Sequence, residues 1–97
     1  MTTPLTIVAR IEAQPDHVDR LRNALLKLIE PTRAEEGCLQ YDLHQDQYDP
    51  TVFLFFENWR SRELWQAHLN SEHIAAYRKE SEGAVFSFTL NEMAQIG

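Results

Sequence analysis

The stretch FENWRSRELWQAHLNSEHIAAY, from Phe56 to Tyr77, crowds two indoles, two imidazoles and a strand-end carboxylate into one short run: Glu57, Trp59, Trp65, His68 and His73. Those residue types can move a proton and hold an aromatic ring. His68 falls four residues after Leu64 and three after Trp65, so on a helix it shares their stripe and faces whatever the helix covers. An imidazole in that place is either a core histidine with its hydrogen bonds satisfied or a pocket base. Glu57 ends an apolar strand on the side of Phe53, Phe55 and Trp59. A carboxylate among aromatic rings is costly to ionise, so its pKa should rise. The plainer alternative is a frayed strand end with the carboxylate in water.

Trp59, Tyr41, Phe53, Phe55, Tyr77 and Trp65 can fill a core or wall an apolar cavity between sheet and helices. Small-molecule sites are usually apolar hollows with a few convergent polar groups, and His68, Glu57 and His73 would supply them. His68 and His73 are five apart across a helix break. That departs from the i, i+4 spacing that sets two ligands on one helical face, so no metal site is expected. The chain has no G-x-G-x-x-G or P-loop, so no dinucleotide or nucleotide is expected, and it has no G-x-S-x-G nucleophile elbow. Cys38 reads as an inert, half-buried thiol at a strand start.

The elements that must position these groups follow from periodicity. Residues 5–13, 38–45, 52–59 and 85–93 read as strands. In the first, Ile7, Ala9, Ile11 and Ala13 share a face opposite Val8, Arg10 and Glu12. In the second, Leu39, Tyr41 and Leu43 oppose Cys38, Gln40, Asp42 and His44. Val18, Leu21, Leu25, Leu28 and Ile29 recur at helical spacing after a cap at Asp16, and Pro31 should kink or end that helix. Ser61 and Ser71 can cap two further helical segments; Gly37 and Gly83 can end helical runs. Strand, helix, strand, strand, helix, strand is the split βαβ, ferredoxin-like order: an α+β antiparallel sheet with helices on one face. The other face should be polar, yet Val52, Leu54, Phe56, Phe86 and Phe88 suggest a bare apolar surface. A two-fold dimer packed sheet to sheet would cover it.

The chain is 97 residues long, which fits a single domain spanning 1–97, and a domain this small gains from association. Its net charge of −6, with nine scattered Lys and Arg, argues against a nucleic-acid partner. No apolar run approaches the roughly 20 residues of a membrane span. The N-terminal MTTPLTIVARIEA lacks the pattern of a signal peptide. With a single cysteine, these features lead to the expectation of a cytoplasmic protein without membrane contacts.

The pattern EEGCLQYDL, an apolar strand ending in ENW, and then S…AHLNSEH…AY resembles the antibiotic biosynthesis monooxygenase (ABM) family over nearly the whole chain. The matching positions are Glu36, Gly37, Cys38 and Tyr41, then Glu57 and Trp59, then His68, Ser71 and His73. The resemblance implies a dimeric α+β barrel. It further implies a small cytoplasmic quinol monooxygenase that oxidises a dihydroxy-aromatic with O₂ and uses no metal, flavin or haem. His68 would be the base or proton shuttle, Glu57 would orient or acidify the site, and Trp59 and Tyr41 would hold the ring. A haem-degrading branch has Trp where this chain has His68, and a haem-ligating His where it has Tyr77 or Arg78. An isomerase branch acting on a phosphorylated autoinducer sugar shares the His at 68. A non-catalytic small-ligand-binding dimer is the third alternative.

Overall fold

The computed structural model of the chain describes residues 4–97. Four strands, β1 (Leu5–Ala13), β2 (Cys38–Gln45), β3 (Val52–Trp59) and β4 (Val85–Met93), form one antiparallel sheet in the order β2-β3-β1-β4. Helices α1 (Val18–Leu26) and α2 (Ile29–Arg33) connect β1 to β2, and α3 (Arg62–Leu69) and α4 (Glu72–Glu80) connect β3 to β4. All four helices lie on one face of the sheet, the ferredoxin-like arrangement.

The two central strands carry the core. β1 alternates strictly, burying Leu5, Ile7, Ala9, Ile11 and Ala13. Its partner β3 buries Phe53, Phe55, Glu57 and Trp59 on the same face, with Ile11 opposite Phe53 and Ile7 opposite Glu57. Leu21, Leu25 and Leu28 from the helical stripe close over them. Each such aliphatic or aromatic side chain contributes about 1.5–3 kcal/mol by leaving water.

Pro31 acts at a distance. It lies inside α2, while the break falls at Lys27 and Leu28, because a proline ring clashes with the carbonyl four residues earlier and cannot donate to it. Ser61 Oγ accepts from the Leu64 amide and Ser71 Oγ from the Ile74 amide, as their sequence positions predict. The cap expected at Asp16 is not made. Pro15 starts a 3-10 turn one residue earlier, so Asp16 lies within the turn and α1 begins without a side-chain cap.

Two β-bulges revise the expected faces. On β2, Cys38 pairs with Trp59 and Gln40 with Asn58, so Leu39 is an extra residue and turns outward, 59% exposed. Cys38 therefore joins Tyr41 and Leu43 on the helix side, and Leu39 leaves it. On β4, Val85 pairs with Ala13 and Ser87 with Glu12, so Phe86 is the extra residue. Phe88 then faces the helix side opposite Ile11 rather than the open side. The open face keeps Val8, Val52, Leu54 and Phe56 as an apolar centre. Around it lie Arg10, Glu12, Asp42, His44, Thr89 and Asn91, a polar rim broader than β3 alone suggests. Among the described residues no helix is long and apolar enough to cross a membrane.

Candidate active site

The site is assembled from four segments at one end of the sheet: the end of β3, the middle of β2, the C-terminal half of α3, and the turn between α2 and β2. That turn is fixed by Gly37, whose φ of +86° favours glycine. A Cβ there would also collide with the side chain of Leu64 on α3. The Arg60 amide donates to the Gly37 carbonyl at 2.8 Å. Turn and helix are thus in direct contact, and Glu35, two residues before the glycine, is brought to the C-terminal end of α3.

There Glu35 Oε2 lies 2.5 Å from His68 Nδ1 and 3.0 Å from His73 Nε2. A carboxylate oxygen accepts, so both ring nitrogens donate to it. In the neutral form of His68 this puts the proton on Nδ1 and leaves the lone pair on Nε2. His68 is buried, and its ring lies 4.8 Å from the Trp59 ring and 5.6 Å, edge-on, from Tyr41. Burial pushes the His68 pKa down, and the hydrogen bond and charge of Glu35 pull it partly back. The neutral imidazole, the form able to accept a proton, is favoured.

Glu57 accepts from the indole Nε1–H of Trp59 at 2.9 Å. Burial pushes its pKa up to about 7, opposed by the indole bond and reinforced by the charge of Glu35. Burial, then the charge of Glu57, pushes the Tyr41 hydroxyl well above its ordinary value. Tyr41 stacks on Phe55 with centroids 4.5 Å apart.

His68 and Glu57 both line a cavity of about 450 Å³ between sheet and helices, walled by Tyr41, Phe55, Trp65 and Tyr77. Arg78 is the one Lys or Arg among the lining residues. Phe53 and Trp59 lie outside the lining, fully buried beneath it. His73 also lies outside it, bonded to Glu35. Glu35 itself escaped the sequence reading. It sits on a turn, where no periodicity reports which way a side chain points. The Glu-Glu-Gly run is the only local cue, and the resemblance matches it at Glu36, whose carboxylate accepts from Arg60 instead. The break between α3 and α4, which spoils the i, i+4 spacing of His68 and His73, is also what turns their rings toward each other, 5.9 Å apart. With Glu35 they place three potential ligand atoms within 4.8 Å of one another.

Comparison with known proteins agrees with this architecture. Residues 4–80 match the family model described as "Antibiotic biosynthesis monooxygenase". Rv0793 of Mycobacterium tuberculosis is 40% identical over 80 residues, which span 82% of this chain and 78% of that protein. The "Probable quinol monooxygenase YgiN" of Escherichia coli is 26% identical over 96 residues, covering 89% of this chain and 92% of its own. The crystal structure of PA3566 from Pseudomonas aeruginosa superposes with a TM-score of 0.95 at 38% identity, covering 100% of this chain and 98% of that one.

Proposed function

The chain belongs to the antibiotic biosynthesis monooxygenase family, and from that premise we propose that it oxidises a small quinol or related dihydroxy-aromatic with O₂, without a cofactor. The observation that carries this reading is His68, a neutral imidazole held by Glu35 at the wall of an aromatic cavity. In the proposed mechanism His68 Nε2 removes a phenolic proton. The electron-rich anion then reduces O₂ itself. In monooxygenase stoichiometry one oxygen atom enters the ring, the other leaves as water, and the substrate supplies all four electrons.

The protein's share is deprotonation, a dry slot and fixed dipoles. Tyr41, Phe55, Trp65 and Tyr77 would hold the substrate ring. Glu57, with a pKa near 7, would donate to or accept from a substrate oxygen, and Trp59 would orient Glu57. Glu35 positions His68 as the acid of a catalytic triad positions its histidine. The alternative of a phosphorylated sugar is less favoured, because Arg78 is the single fixed cation of the lining. The likeness to YgiN supports a quinol over other aromatics.

The proposed working unit is a homodimer joined through the open sheet face, with Val8, Leu54 and Phe56 at its centre. Aerobic turnover of dihydroxynaphthalenes and related quinols, followed by oxygen uptake and lost under argon, tests the activity. Binding of the same compounds without turnover would leave a ligand-binding domain instead.

A further inference from the structure

Holding one imidazole in one tautomer takes a single acceptor, as Glu35 provides for His68. The second imidazole on the same oxygen is surplus to that task. His73 reaches Glu35 from a different helix, and the three side chains come from three separate segments. Two imidazole nitrogens and a carboxylate oxygen form the donor set that borderline divalent ions select. The three ligand atoms lie within 4.8 Å of one another. Zinc with ligands at about 2.0–2.1 Å spaces them roughly 3.4 Å apart, so the two carboxylate–imidazole contacts of 2.5 and 3.0 Å would lengthen by about an ångström or less. Glu35 sits on a turn and can supply that lengthening by side-chain rotation.

Access and charge favour the same reading. The side chains of Glu35 and His73 are 18% and 22% exposed, while that of His68 is 3% exposed, so an ion would enter from the Glu35 side and complete its shell against the buried ring. Among the described residues, no Lys or Arg pairs with the Glu35 carboxylate; its side-chain hydrogen-bond partners are the two imidazoles. The guanidinium of Arg78, on an exposed residue, is the opposing cation.

We propose that Glu35, His68 and His73 form a binding site for a divalent transition-metal ion, zinc matching best, and that occupation switches off the cavity base. An ion on His68 Nδ1 takes the place of that nitrogen's proton. The one proton of the neutral ring then resides on Nε2, which becomes a donor and cannot accept from a substrate. The binding half of the proposal is independent of the function proposed above; the switching half rests on His68 being the base.

The test is calorimetric titration of the full chain, stripped with a chelator, with zinc chloride, paired with the visible absorption of added Co²⁺ and with magnesium chloride as control. One zinc per chain should bind with micromolar affinity or better. Glu35→Gln and His73→Ala should each weaken binding at least tenfold, while His17→Ala and His44→Ala leave it unchanged. No zinc binding beyond the magnesium control, or binding indifferent to both ligand substitutions, overturns the site. His73 is partly exposed, so His73→Ala keeps the test readable if Glu35→Gln misfolds. Equimolar zinc should abolish quinol turnover in the parent, and a chelator should restore it. Turnover that survives saturation by zinc at this site overturns the switch alone. If no quinol turns over, ¹⁵N NMR of His68 decides the switch, since zinc must move its ring proton from Nδ1 to Nε2.

Discussion

Glu35 and His68, thirty-three positions apart in the chain, meet at 2.5 Å through one carboxylate oxygen and the Nδ1 of a buried ring. The contact assigns His68 its tautomer. Glu35→Gln keeps the shape and removes the charge, so the kcat for a quinol should fall by about 10²-fold or more with KM little altered. Glu35→Asp should recover part of the loss. Steady-state oxygen uptake separates this from a general loss of fold, which circular dichroism reports.

His68→Ala removes the proposed base itself. Turnover should drop by about 10²–10⁴-fold. Full activity in that variant, on every quinol the parent oxidises, would transfer the role of base to another group.

Glu57 couples the site to stability. Its folded pKa of about 7 lies above the ordinary 4.5, so the native state holds the proton more tightly than the unfolded chain does. Its contribution is therefore full below about pH 4.5 and is lost as pH rises toward 7, by roughly 3 kcal/mol in all. Urea denaturation across that range should show this decline in the parent, and Glu57→Gln should flatten it.

Gly37→Ala should destabilise in two ways. The positive φ costs about 1–2 kcal/mol for a residue with a Cβ, and crowding against Leu64 adds about 1–3 kcal/mol. Leu64→Ala in the same chain removes the Cγ and Cδ1 contacts but keeps the Leu64 Cβ, 2.7 Å away, so it should relieve part of the second cost and none of the first. A double-mutant cycle by chemical denaturation measures the coupling.

The proposed dimer predicts sedimentation at twice the chain mass of 11.3 kDa. Phe56→Asp, at the centre of the open face, should shift the protein to monomer while leaving the far face of β3 intact. A parent that sediments as a monomer at micromolar concentration removes the dimer.

Periodicity made the scaffold legible. The strict alternation of β1 reports its buried face, and Ser61 and Ser71 announce two helix starts through their own hydroxyls. The same rule misplaced Leu39, Cys38 and Phe88, because a bulge adds one residue to a strand and reverses the faces on one side of it without leaving a mark in hydropathy. Glu57 and His68 were legible as candidates because each stands out in an apolar pattern. Glu35 was not, since an acid on a turn is an ordinary surface residue until the fold brings a histidine to it.

That division bears on how such a protein can diverge. The base is built into a helix, whereas the group that sets its tautomer hangs from a short turn braced by Gly37 and Leu64. A change at position 35 would alter the reactivity of His68 with little demand on the sheet or its packing. Within this architecture, chemistry can be retuned by editing one turn, while the scaffold that took most of the sequence to specify is inherited whole.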